Sequence, residues 1–260
     1  MNKSPHLKHA VVMGGARGIG EAIVRRLAAG GYAVTIADRL KAQAVSLSKE
    51  LNKNCLVTFA AGVDITQARD LRALASAVKK RAGNGGLHVA VNTAGIFHER
   101  RTLLQTPIES FERLIDVNLL GAFRFSQAIA PLMAPGGSII HTGSINGVLA
   151  APELGAYKIT KAALHMLVRC LALELARDPR RIRVNAVAPG WVDTPGERTL
   201  YKAGKGKPHP LDDPETARWI PLGRRNQPHE VADAVAFLCS DQAISITGHI
   251  LPVDGGVLAR

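Results

Sequence analysis

The chain has 260 residues, is 47% hydrophobic, and carries 33 basic against 21 acidic residues for a formal net charge of +12. That length and apolar content suffice to bury a full core, and one domain over residues 1–260 is expected. The opening residues are polar and basic, and the apolar runs at 87–91 and 182–187 fall far short of the ~20 residues a membrane span needs, so neither export nor insertion is expected.

The basic residues come as scattered pairs such as Arg25-Arg26, Lys79-Lys80 and Arg224-Arg225. This pattern suits a solvated surface, not a nucleic-acid stripe, and leaves an anionic small substrate open. Cys55, Cys170 and Cys239 are odd in number and each lies in an apolar run, which predicts reduced core thiols and a cytoplasmic location. The nine histidines show no metal-ligand spacing, so no metal is expected.

The first expected strand, 10–13, runs into Gly14-Gly15-Ala16-Arg17-Gly18-Ile19-Gly20 and a helix at 18–29. Glycines there let the backbone approach a pyrophosphate, and the helix N-terminus offers unpaired N–H groups and a positive dipole end. The alternative is an ordinary tight turn. A second strand, 33–37, leads to Asp38, where a carboxylate can accept hydrogen bonds from both adenosine ribose hydroxyls and repel a 2′-phosphate. NAD is therefore the expected cofactor, although Arg17 and Arg39 could pair with such a phosphate instead.

A helix at 41–52 and a strand at 55–60 come next. In Val63-Asp64-Ile65, Asp64 either meets the adenine amino group or caps the following helix, 67–81. Strand 87–92 ends in Asn92-Thr93-Ala94-Gly95, whose small residues let the chain pass close to the cofactor. Beyond it lie His98-Glu99-Arg100-Arg101 and one long helix, 108–133, holding Asn118, which by itself reads as a satisfied polar residue.

Strand 138–142 precedes Ser144. Helix 156–177 opens with Tyr157 and Lys161, four apart and so on one face, while Leu164, Leu167, Leu171 and Leu175 keep core spacing. Ser144 could meet Tyr157 across the carboxyl end of its strand. Strand 182–188 leads to Pro189-Gly190, Val192 and Thr194. The stretch 195–214 then breaks the pattern, as either a lid over a ligand or an irregular insertion would: it carries Arg198, Lys202, Lys205, Lys207 and His209, with no acidic residue from 198 to 210. A helix at 228–240 and a strand at 249–253 close the chain. This alternation predicts an α/β domain with a doubly wound parallel sheet and helices on both faces.

The glycine turn at Gly14, Gly18 and Gly20, then Asn92-Thr-Ala-Gly95, Asn118, Ser144, Tyr157, Lys161 and Pro189-Gly190, in that order over about residues 10 to 256, resemble the successive motifs of short-chain dehydrogenases/reductases. Met13 and Thr93 depart from the usual threonine and second asparagine; neither change removes a catalytic group, but Met13 is expected to loosen a local hydrogen bond. The resemblance implies a Rossmann-like fold, Asn118 holding a water in a proton relay, and Val192 and Thr194 fixing a nicotinamide amide. Cofactor contacts are expected from Gly14, Arg17, Gly18, Ile19, Gly20, Asp38, Arg39, Asp64, Ile65, Asn92, Ala94, Gly95, Tyr157, Lys161, Pro189, Gly190, Val192 and Thr194.

The chemistry fits these residues. A free tyrosine has a pKa near 10 and is a poor base unless a neighbouring ammonium and the positive nicotinamide favour its phenolate. Lys161 supplies that charge and can bond the nicotinamide ribose; Ser144 orients the substrate oxygen, and Tyr157 takes its proton as hydride leaves.

The expected reaction oxidises a secondary or anomeric hydroxyl of a small polar substrate. Beside Ser144, the basic residues His98, Arg100, Arg101, Arg198 and Lys202 either are solvated surface or point to an anionic substrate, such as a carboxylated or sulfonated sugar oxidised at its anomeric carbon to a lactone. The stretches 220–224 and 251–256 resemble those of aldose 1-dehydrogenases. An NADPH-dependent 3-oxoacyl or ketone reductase is the alternative enzyme, and a non-catalytic cofactor-binding regulator the alternative of another class. Relatives of this kind pair their long helices, which implies a homotetramer through 108–133 and 156–177.

Overall fold

The computed structural model describes residues 7–97, 100–200 and 217–260, the side chains of 199 and 200 excepted. Seven strands form one sheet in the order β3-β2-β1-β4-β5-β6-β7, with every pairing parallel. They are β1 His9–Met13, β2 Ala33–Asp38, β3 Thr58–Gly62, β4 Leu87–Asn92, β5 Met133–Thr142, β6 Arg183–Pro189 and β7 Ile250–Val253. Strands β2 and β6 are buried along their whole length, as expected of parallel strands covered on both faces.

The helices divide between those faces. On one, α1 (Gly18–Ala29), α2 (Lys41–Lys53) and α8 (Pro228–Cys239) set Ile23, Leu27, Leu47 and Val235 against Val12, Ile36 and Val91. On the other, α3 (Ala68–Ala82), α5 (Gly121–Ile129) and α6 (Gly155–Arg177) set Leu74, Phe125 and Val168 against Val11, Met13 and Ile139. Val11 and Val12 thus serve opposite layers, and each fully buried side chain of this size contributes about 1.5–3 kcal/mol. The chain winds outward from β1 through β2 to β3 and then crosses back to β4 on the other side of β1, so a crevice opens between the carboxyl ends of β1 and β4.

Four expectations need correction. The helix expected over 108–133 is instead α4 (Ile108–Ile115), a π-turn (Asp116–Leu120), α5 and a short 3₁₀ turn (Ala130–Leu132), and Met133 already begins β5. Pro131 lacks the N–H needed to continue α5, which explains its end. The third strand starts late because Cys55 has a left-handed φ of 59° in the turn that closes α2.

Cys55 and Cys170 are exposed and only Cys239 is buried, so two of the three thiols are not core residues. Within the stretch that resembled a lid, Pro195–Leu200 forms a short helix, α7, that its weak periodicity did not reveal.

Leu164 is buried, and Leu171 and Leu175 pack on the core. A different stripe of α6, Ile159, Met166 and Leu173 at seven-residue intervals, faces outward. Among the described residues no helix is long and apolar enough to cross a membrane.

Candidate active site

A cavity of about 730 Å³ lies along the carboxyl ends of the strands, running from the glycine turn to Tyr157. Its first wall is backbone. Gly14 has φ +80°, and a Cβ there would fall 2.7 Å from both Ala94 N and Thr93 Oγ1; at Gly20 it would fall 1.9 Å from the Gly14 carbonyl oxygen. Any side chain at either position would fill the turn.

Asp38 lines the same wall and is buried. Its Oδ2 accepts the Ala16 N–H at 3.0 Å and its Oδ1 the Leu40 N–H at 2.9 Å. The carboxylate therefore braces the glycine turn from the end of β2, and two of its roughly four lone-pair sites remain for a ligand.

Asp64 lines the cavity, and its Oδ1 accepts the Thr66 N–H at 2.9 Å and hydroxyl at 2.8 Å in the turn before α3, whose N-cap is Gln67. The Thr66 N–H holds this carboxyl below its ordinary range against the opposing cost of burial. Arg17, Gly18, Ile19, Arg39, Ile65, Ala94, Gly95 and Pro189 also reach the wall.

Asn92 does not line it. The Asn92 Oδ1 accepts the Ala94 N–H at 3.1 Å, and its Nδ2 lies 3.5 Å from His141 Nδ1. His141 Nε2 is 3.0 Å from Ser126 Oγ, whose proton goes to the Ala122 carbonyl at 2.9 Å. Burial first, and the Lys161 charge second, bring His141 down to about 4, so it is neutral and this geometry puts its proton on Nε2. Asn92 thus shapes the Asn92-to-Gly95 turn from beneath. At the departure beside it, the Thr93 hydroxyl reaches the Met13 and Gly14 carbonyls at 3.1 and 3.0 Å, so β1 and β4 are tied from the β4 side.

Asn118 sits in the π-turn, a feature frequent at functional sites. Its Oδ1 accepts the Ile96 N–H at 2.8 Å, and its Nδ2 donates to Ile96 O at 3.0 Å and Thr160 Oγ1 at 3.2 Å. Both amide protons are spent on the protein, so Asn118 pins the loop after β4 to α6. Gly190 is a packing position: a Cβ there would meet Asp254 Cα at 2.9 Å.

At the other end of the cavity Tyr157 is buried, with the Ser144 side chain near enough to act on its phenol, and is flanked by the Phe97 ring at 4.8 Å between centroids. Ser144 Oγ also accepts the Asn146 N–H at 3.1 Å, which caps a 3₁₀ turn at Ile145–Gly147. Lys161 Nζ lies 5.7 Å from the Tyr157 ring centroid and donates to Thr142 O at 2.8 Å.

Burial brings the Lys161 ammonium down to about 8. Burial also pushes the Tyr157 phenol above its ordinary value; the Ser144 hydrogen bond opposes this and the Glu197 carboxylate adds to it. Lys161 is not among the groups that lower Tyr157 in this state, contrary to expectation, and the phenol keeps its proton.

Thr194 lines the cavity beside Pro195 and Gly196 at the start of α7. Val192 does not, because its side chain is buried in the core; its N–H donates to Glu197 Oε2 at 3.1 Å. Glu197 went unread in the sequence, where its segment stood out only for basic charge. Burial raises its carboxyl to about 7, with the Val192 N–H and then Arg225 pulling the other way.

Of the basic residues expected at the substrate, Arg100 is paired with Glu153 at 2.6 Å, and Arg198 holds Asp193 in a fork of 2.6 and 2.7 Å. Arg101 is exposed and off the wall, while His98 and Lys202, with Lys205, Lys207 and His209, lie outside the described residues. Lys158, next to Tyr157, donates to the Asn146 side chain and has no carboxylate partner among the described residues.

Residues 14–258 match the family described as Enoyl-(Acyl carrier protein) reductase. An uncharacterised short-chain type dehydrogenase/reductase of Sinorhizobium fredii is 39% identical over 95% of this chain, which spans 43% of that relative's length. A 4-formylbenzenesulfonate dehydrogenase of Comamonas testosteroni is 37% identical, covering 95% of this chain and 96% of its own. A trans-4-hydroxycyclohexanecarboxylate dehydrogenase of Sinomonas cyclohexanicum is 35% identical, at 97% and 93% coverage.

Among solved structures, that of gox2181 superposes with a TM-score of 0.88 at 33% identity, covering 98% of this chain and 96% of its own. A 3-ketoacyl-(acyl-carrier-protein) reductase from Brucella melitensis complexed with NADH gives 0.83 at 32% identity, with 96% and 98% covered. With one all-parallel sheet, a glycine turn that only glycine fits, and full-length relatives above 30% identity, the chain belongs to the short-chain dehydrogenase/reductase family of oxidoreductases.

Proposed function

We propose that this oxidoreductase is an NAD-dependent dehydrogenase acting on a hydroxyl of a small polar substrate, with Tyr157, Ser144 and Lys161 at its reacting end. The observation that carries the reading is the buried Tyr157, beside Ser144 and with Lys161 on the same helix face, at the end of a cavity that begins at the glycine turn. A bound nicotinamide supplies a hydride acceptor or donor. Tyr157 exchanges the proton of the substrate oxygen, Ser144 orients that oxygen, and Lys161 provides a positive charge beside the phenol. Asn118 keeps Ile96 and the loop after β4 in place.

Asp38 supports NAD, since a carboxylate held by two N–H donors cannot swing away from a 2′-phosphate. Arg17 and Arg39 on the same wall are the groups that would favour NADP. A second reading, reduction of a ketone or 3-oxoacyl group, is favoured by the protonated state of Tyr157, which suits donation to a carbonyl. The Brucella melitensis reductase is complexed with NADH.

Two relatives are named for a sulfonate and a carboxylate, which supports an anionic substrate. Because Arg100 and Arg198 are already paired, Lys158 is the better cation for it than either.

The outward stripe Ile159, Met166 and Leu173, with the exposed Leu120 of the π-turn and Phe123 of α5, supports a homotetramer. The unpaired, exposed Cys55 and Cys170 suit a reducing cytoplasm. Thr194, Pro195 and Gly196 on the cavity wall support a lid that begins near 195 within one domain of 1–260.

The test measures kcat/KM with NAD and NADP on glucose, on its 6-carboxy, 6-phospho and 6-sulfo analogues, and on 4-hydroxycyclohexanecarboxylate beside cyclohexanol. NAD should lead NADP by about tenfold or more, and each anionic compound its neutral counterpart. Equal or better use of NADP overturns the cofactor assignment; equal use of the neutral compounds overturns the anionic one.

A further inference from the structure

We propose that His165 is a positioning residue for Ser144: its ring is the post around which loop 143–147 is wound, and it thereby fixes the Ser144 hydroxyl against Tyr157. The inference rests on the reading of Ser144 as a group of the reacting end.

His165 lies on α6 one turn beyond Lys161 and two beyond Tyr157, so all three side chains share a face. It is 3% exposed. A Cβ at Gly143 would fall 2.4 Å from His165 Nε2, and one at Gly147 2.4 Å from His165 Cε1. Neither glycine has a positive φ, so the missing side chains make room for the ring and are not demanded by the backbone.

Between the two glycines, Ser144 N–H points at His165 Nε2 at 3.5 Å, a long hydrogen bond, so enclosure of the ring is the larger part of the contact. The loop's other bonds run to β6, through Gly143 N–H to Val187 O at 2.8 Å, within itself, through Gly147 N–H to Ser144 O at 2.9 Å, and to α6 at Asn146, whose side chain accepts from Lys158. Lys158 holds the loop at Asn146, whereas the imidazole is the piece of α6 enclosed by both glycines and facing Ser144 itself, and so sets how far Ser144 stands from Tyr157. Burial, then the Lys161 and Arg169 charges, bring His165 down to about 4, which leaves it neutral and able to accept at Nε2 near neutral pH.

The test is a double-mutant cycle of His165→Leu and Ser144→Ala, with kcat, KM for NAD and the pH profile measured on the intact enzyme. Alone, His165→Leu should lower kcat about tenfold or more with KM for NAD within about twofold; in the Ser144→Ala background it should change kcat by less than about twofold. A wild-type kcat in His165→Leu, or an equal loss in both backgrounds, overturns the proposal. A wild-type kcat in Ser144→Ala overturns the underlying reading instead.

Should His165→Leu fail to fold, Gly147→Ala takes its place. It should lower kcat by crowding the ring, and His165→Ala added to it should restore at least half of that loss. No restoration overturns the proposal.

Discussion

The two ends of the cavity are built from different materials. At the glycine-turn end the shaping groups are tied to backbone: Asp38 to Ala16 and Leu40, Asp64 to Thr66, and the Thr93 hydroxyl to Met13 and Gly14. At the Tyr157 end the wall depends on side chains brought together from elements distant in sequence: Tyr157 of α6 against Phe97 of the loop after β4 and beside Ser144 of the loop after β5. A site made of backbone constrains spacing and glycine content, whereas one made of side chains depends on which loops meet.

The sharpest test of the difference lies at the reacting end. Tyr157→Phe removes one oxygen and should lower kcat by about 10²- to 10⁴-fold while NADH still binds, as read by fluorescence titration. Retention of more than about a tenth of the rate would remove Tyr157 from the proton-transfer role. Lys161→Ala should come next, with a loss of about tenfold or more that is partly regained at high pH, where a phenol no longer helped by an ammonium can still ionise. A flat pH profile would break that link.

At the backbone-built end, Asp38→Ala should lower kcat/KM for NAD by about ten- to a hundredfold and raise that for NADP relative to it. An unchanged cofactor ratio would mean that Asp38 only braces the turn.

A smaller effect concerns Glu197. Its folded value of about 7 stands above the ordinary 4.5, so the folded protein holds a proton that the unfolded chain gives up between those values. Stability from this group is thus fully present below about 4.5 and lost as pH rises through 7. Glu197→Gln should accordingly raise Tm over the wild type at pH 8 by more than at pH 5, and the reverse order in a thermal melt would show that the carboxylate is well solvated.

The smallest contrast separates two neighbouring cations. With an anionic substrate, Lys158→Met should raise KM about tenfold, while Arg100→Ala, which only breaks a half-exposed pair worth at most about 1 kcal/mol, should shift it less than about twofold.

Legibility in the sequence followed the same division. The glycine turn, Asp38, and the Tyr157 and Lys161 pair could be read because a tight turn, a strand end and a helical repeat each impose a spacing. The parallel sheet could be read because strands covered on both faces leave unbroken apolar runs.

What escaped depended on tertiary encounters. Asn92 fits a place beside the ligand, yet it turns toward His141, 49 residues away. Arg100 looked like a free cation until Glu153 came to it across 53 residues. Glu197 carried no signal in a basic stretch, and α7 was too short for a periodicity to emerge.

The π-turn at Asp116–Leu120 stores one residue more than an α-helical turn would hold. On its far side Phe125 and Ile129 face the sheet while Phe123 faces out. Because the extra residue is absorbed within the turn, removing it would let α4 run straight into α5 with Phe125 and Ile129 still on the inner face. What would be lost is the widened turn from which Asn118 reaches Ile96. The extra residue therefore serves the cavity and not the core, so homologues of unequal length across 116–120 can share this fold while differing in how the loop after β4 is held.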